Sequence, residues 1–244
     1  MSPGERPVSA LPGWLLWGLA LALLAQVLLA LAPEARQRNA SSLPPPPSGP
    51  VLRAASFGEP AALSRLAMLW LQSFDSGATN RTHYRDLDYG RLTGWLGAIQ
   101  DTDPLSHYPL FAAARIYAEV PDPARARLML EFVYREYLKA PQQRWPALAH
   151  GALLAKHRLQ DLPLARRYAA AIQAVAQDPD VPLWAKQMEV FILEDMNELE
   201  AARIMLGGLL AAGQVTDPGE RRFLQGRLEE LERRLAAPPA PRRR

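Results

Sequence analysis

Asp86 and Asp88 flank Leu87 beside Tyr84 and Tyr89, and Glu194 adjoins Asp195 further along the chain. Paired carboxylates can divide acid and base work, one protonating a leaving group while the other activates water. Asp86, however, stands where an amphipathic run begins, so its carboxylate reads as a helix cap. Glu194 and Asp195 belong with Glu189, Glu198 and Glu200 to an acidic cluster around one turn. That cluster reads as a solvated face with caps, and its sharper alternative is a surface for a basic partner. His150 and His157 are seven residues apart, hence on one helical face but about 10 Å apart along the axis, too far to share one metal directly. The chain has no cysteine, which excludes disulfides, thiolate zinc sites and cysteine nucleophiles. Gly207-Gly208 lies inside an apolar helix, fits no phosphate-binding loop, and reads as a place of close helix packing. The sequons Asn39-Ala40-Ser41 and Asn80-Arg81-Thr82 are too short to carry weight. No catalytic, cofactor or metal site is assigned.

The elements that position these residues are helical. Proline returns every 37 to 39 residues, at Pro104, Pro141, Pro179 and Pro218, and three of the four follow an aspartate. Between them lie pairs of segments with apolar residues at helical spacing: 60–74 with 86–99, 108–119 with 123–138, 145–159 with 162–176, and 183–195 with 198–212. Ala62, Leu66, Leu69 and Phe74 form the expected inward stripe of the first segment. Asp122 and Asp161 are expected caps, Asp122 followed by Pro123 at a position that needs no amide donor. A last helix begins after Asp217, with Pro218 first and Glu220 in the capping-box position. Its stripe of Phe223, Leu224, Leu228, Leu231 and Leu235 closes the open end of the stack.

Equivalent positions recur between pairs. Asp122, Asp161 and Asn197 mark turns, Ala126, Ala165 and Ala201 supply small residues, and Trp145 and Trp184 sit near the starts of first helices. The pattern resembles the tetratricopeptide-repeat (TPR) family, which places a large residue near the start of its first helix and small residues at the helix crossing. The resemblance covers roughly 108–212. It departs from the family in a period longer than 34 residues and in a six-residue spacing between Trp145 and Gly151. It implies an all-α, TPR-like α-α solenoid of about four helix pairs with a C-terminal capping helix. The whole chain also resembles a class of bacterial single-anchor membrane proteins.

Residues 14–32 carry no charge and include Trp14 and Trp17 at one end. As a helix they would reach ~28 Å, near the ~30 Å hydrocarbon core of a bilayer. A cleaved signal peptide is the alternative, favoured by Ala30-Leu31-Ala32 but not by the length of the run. The organisation therefore reads as a tail (1–13), a transmembrane helix (14–32), a proline-rich spacer (33–58), a repeat domain (59–235) and a basic disordered tail (236–244). Arg36, Arg38 and Arg53 after the run outnumber Arg6 before it, which by the positive-inside rule favours a cytoplasmic domain. The short tail and single anchor favour a periplasmic one, and that reading is adopted.

From Val51 onward 25 Lys+Arg face 23 Asp+Glu, so the domain has no field to attract nucleic acid. Arginine makes up 25 of 28 basic residues, a bias of GC-rich bacterial genomes. The expected function is a scaffold tethered to the bacterial inner membrane, binding a protein or peptide along its first helices. Arg115, Tyr117, His150, Lys156 and Lys186 are the expected contacts. Tyr108, Tyr134, Tyr137 and Tyr168 are further aromatic candidates. The alternatives are an envelope enzyme using the carboxylate pairs, and an obligate subunit of a membrane complex.

Overall fold

Aspartate and proline write most helix starts in this chain. Asp122 Oδ1 accepts from the amides of Ala124 (2.8 Å) and Arg125 (3.3 Å), with Pro123 next in line. Asp161 accepts from Leu164 (3.0 Å), and Asp217 from Glu220 (2.7 Å). Each side chain satisfies amide donors that the first helical turn leaves open. A computed structural model describes residues 13–31, 43–74, 84–175, 181–213 and 215–236. Of the expected tail at 236–244, Ala236 is the last residue of a helix and 237–244 lie outside these residues, as do Ala32 of the expected anchor, His83 and Pro179.

The described chain is all-helical. Its helices are α1 (Gly13–Leu31), α2 (Gly49–Ala55), α3 (Pro60–Gln72), α4 (Tyr89–Thr102), α5 (Tyr108–Arg115), α6 (Pro123–Lys139), α7 (Pro141–His157), α8 (Leu162–Gln173), α9 (Leu183–Asp195), α10 (Leu199–Ala211) and α11 (Pro218–Ala236). Single 3-10 turns occupy Tyr84–Asp86 and Tyr117–Glu119. From α4 onward each helix packs chiefly on its sequence neighbours, and α4 also meets α6 as α5 meets α7. Gln160 and Asn197, two residues before the starts of α8 and α10, both take positive φ, 52° and 61°.

Several boundaries differ from expectation. α4 starts after Asp88, which accepts from Arg91 N (3.1 Å), and Asp86 falls in the 3-10 turn instead of capping. The segment expected at 108–119 divides at Ile116 into α5 and a 3-10 turn. α7 begins at Pro141, four residues before Trp145, because proline tolerates the first helical turn. On α3 the buried residues are Ser64, Met68 and Leu71, while Leu66 (63%) and Leu69 (64%) are exposed. Local spacing permits either face, and contact with α4 selects this one. Gly207 and Gly208 meet no close neighbour, so they serve no tight crossing. In place of Ala201, Ala202 is the fully buried small residue of α10.

The described part of the expected spacer is not free-standing. Leu43 is 1% exposed and belongs to the main core, and Pro44–Pro47 lie over α4 before the chain turns into α2. Among the described residues, no helix is long and apolar enough to cross a membrane. α1 is helical over 19 residues, and its side chains are described only as far as residue 28.

Two apolar cores result. The larger runs from Leu43 to Ile192 and is rich in Ala, Leu and Tyr. The smaller gathers Val190, Leu193, Ala202, Leu206, Leu209, Val215, Leu224 and Leu231. α9 feeds both, giving Ala185, Met188 and Ile192 to the first and Val190 and Leu193 to the second.

Candidate functional site

α5 and α7 pack side by side, and between them lies a cavity of about 430 Å³. Its lining includes His107, Phe111, Arg115, Gln143, Arg144 and His150. Phe111 and Arg115 are one helical turn apart on α5, so they share a face. The Arg115 guanidinium sits 5.9 Å from the Phe111 ring centre, within cation–π range, and the ring itself is 49% exposed. Tyr108 stacks against Phe111 with centres 6.4 Å apart. Arg115 has no carboxylate partner among the described residues.

Arg144 stands on the buried side. Its Nη1 donates to the Glu136 carboxylate (2.8 Å) and to the Glu136 backbone carbonyl (2.9 Å), so its charge is matched inside the protein. Its Nε is buried without a hydrogen-bond partner among the described residues. His150 Nε2 lies 3.7 Å from Glu119 Oε1, beyond hydrogen-bond reach. Burial lowers the His150 pKa below the usual histidine value, and the neighbouring Arg115 charge lowers it further. Near neutral pH the imidazole is therefore uncharged, and Arg115 supplies the cavity's unmatched positive charge. A cation beside an exposed aromatic ring suits a carboxylate-bearing segment that also offers an apolar group.

Of the five expected contacts, the structure brings Arg115 and His150 together. Tyr117 is fully buried in its 3-10 turn, where its carbonyl accepts from the Tyr89 hydroxyl (3.1 Å), so it offers no surface. Lys186 is buried on α9, a helix enclosed by both cores. Lys156 pairs with Asp195 (2.5 Å), tying α7 to α9. Helix membership alone did not separate these positions from the cavity. Phe111, Gln143 and Arg144 were missed, although Phe111 and Arg115 form a readable i, i+4 pair.

The aromatic candidates are mostly structural. Tyr137 donates to the Ala171 carbonyl (2.7 Å), and burial, with the nearby Tyr134 second, pushes its pKa up to about 12. Tyr168 is buried and donates to Glu131 (3.2 Å), while Arg167 lies 4.3 Å from the Tyr134 ring centre. Trp145 and Trp184 meet edge to face at 5.6 Å.

The carboxylates do not converge. Asp88 caps α4 and Asp86 is exposed. Glu189 pairs with Arg166 (3.3 Å), Glu194 with Arg227, Asp195 with Lys156, and Glu200 with Arg203 (2.6 Å). The expected solvated face holds for Asp195, Glu198 and Glu200, which are exposed, but not for Glu189 and Glu194, which are buried and matched by cations on other helices. Among the described residues no group of three or more His, Asp or Glu is placed to hold a metal ion. Compared with protein-family models, with curated proteins and with solved structures, the chain finds no match in any of the three.

Proposed function

We propose that this chain is a membrane-tethered, TPR-like scaffold that captures an acidic peptide segment at the cavity between α5 and α7. One observation carries the reading: Arg115, without a carboxylate partner among the described residues, stands beside the exposed Phe111 ring and opposite His150. The repeat reading is supported by the Trp145–Trp184 contact at a 39-residue spacing and by the matching positive-φ turns at Gln160 and Asn197. The tether reading is supported by the uncharged helix α1, whose leucines are exposed on every side over its described part. The inner membrane is the proposed location, with the domain on the periplasmic side. A phosphatase active only in the periplasm, fused after Arg244, should be active; a fluorescent cytoplasmic fusion with no phosphatase activity would reverse the side.

The binding site is tested by placing a photo-crosslinking amino acid at Phe111 in the full chain, in native membranes. A discrete adduct is expected, lost on Arg115→Glu without loss of helicity. An adduct pattern indifferent to Arg115→Glu removes the site.

The outward Leu66 and Leu69 favour a second reading, an interface within a membrane complex. Leu66→Lys with Leu69→Lys would then lower the mass of the extracted assembly.

A further inference from the structure

The proline run is held by α4 in a way that a spacer does not need. Arg91 Nη1 donates to the Leu43 carbonyl (2.7 Å), and Trp95 Nε1 donates to the Pro44 carbonyl (2.7 Å). Between these two donors, Gly94 admits Pro46 so closely that a β-carbon at Gly94 would lie 2.9 Å from Pro46 Cγ. Arg91, Gly94 and Trp95 occupy i, i+3 and i+4, hence one face of one helix. Leu43 supplies the apolar anchor, while the Pro44 and Pro45 side chains stay exposed.

An extended proline run has no internal hydrogen bonds, so its carbonyls need donors from whatever it rests on. Side-chain donors on an aromatic-lined groove are how folded domains read such segments. Trp95 is backed by Trp70, with ring centres 4.5 Å apart, which fixes the indole. The hydrogen bonds go to backbone carbonyls and the close contact to one ring, so any extended Leu-Pro-Pro-Pro segment reproduces them. Beyond Pro46 and Pro47 the same face of α4 opens into a cleft of about 960 Å³, floored by Gly90, Gly94 and Gly97.

We propose that this face of α4 is a recognition groove for a leucine-anchored proline-rich segment of a partner protein, and that Leu43–Pro47 is its resident, displaceable occupant. The tether then doubles as an internal competitor: a partner segment binds as the strap leaves.

The test uses the full chain in detergent and a fluorescein-labelled peptide, Ser-Leu-Pro-Pro-Pro-Pro-Ser. In an emptied variant, Leu43→Ser with Pro44→Ser, Pro45→Ser and Pro46→Ser, the peptide should bind roughly tenfold or more tighter than to wild type, the factor being set by the docked fraction of the strap. Adding Trp95→Phe or Gly94→Val to the emptied chain should abolish that gain. Equal affinity for wild type and emptied chain, or indifference to both substitutions, overturns the proposal. Should the emptied chain lose helicity, Pro45→Cys carrying bimane reports the strap in an otherwise unaltered, cysteine-free chain. Saturable dequenching on adding peptide is expected, and its absence up to millimolar peptide means a fixed brace and overturns displacement. A concentration-dependent mass of the wild-type chain, abolished by Trp95→Phe, would seat a second copy's strap there and equally overturn it.

Discussion

The two cores solve the burial of charge differently. In the larger, Arg144 is enclosed and matched by the enclosed Glu136, whose other carboxylate oxygen also meets the half-exposed Lys139 (2.7 Å). In the smaller, Glu194 is enclosed but its partner Arg227 on α11 keeps 40% of its side chain in solvent. An enclosed pair is unforgiving, because loss of one member strands the other in low dielectric. A half-open pair can relax, since the surviving cation turns to water. The smaller core also leans on the rest chiefly through α9, with Gln187 reaching Glu220 (3.1 Å) as a further tie. The larger region is therefore expected to unfold as one cooperative body, with α10–α11 opening first.

The sharpest way to break this contrast is to neutralise each carboxylate. Glu136→Gln should cost ~3–5 kcal/mol by urea denaturation, against about 1 kcal/mol for Glu194→Gln. Equal costs would erase the distinction. Next in size, Leu206→Ala should remove roughly 2–3 kcal/mol from the smaller core. Hydrogen exchange should then speed up across α10 and α11 while α6 and α7 keep their protection; uniform acceleration would mean one cooperative unit. Asp217→Ala removes the α11 cap and should cost about 1 kcal/mol, read as faster exchange in α11 alone, whereas Asp122→Ala should lower the main melting transition.

The smallest effect is a pH slope. The folded pKa of His150 is lowered, so the folded state favours the neutral ring. The associated stability is present above the unfolded histidine value near 6.5. It is lost as pH falls through the lowered folded value. A loss of stability as pH falls below the unfolded histidine value is expected in denaturation curves, and His150→Gln should flatten it. No change in slope would show that His150 is solvated in the native state.

Helix existence was legible because its signals are local: Asp122, Asp161 and Asp217 each sit beside the amides they cap. The inward face of α3 was not, because Leu66 and Met68 are equally apolar and only contact with α4 decides between them. α9 misled for a related reason. Lys186, Glu189 and Glu194 read as surface, and their burial follows from a helix shared by two cores. The candidate cavity was half legible: Arg115 and His150 were readable from their helices, but Tyr117 and Lys186 look no different in sequence. The proline run carries the same local signal as a free spacer or as a docked strap. What settles its placement is Arg91 and Trp95, some fifty residues downstream.

That placement also sets where mechanical load enters the domain. A pull delivered along the chain from its N-terminal side reaches Leu43 before any domain helix. Two side-chain hydrogen bonds and one buried leucine must then yield before α2 feels tension, so the strap acts as a sacrificial fuse that pays out chain while the helices behind it stay folded.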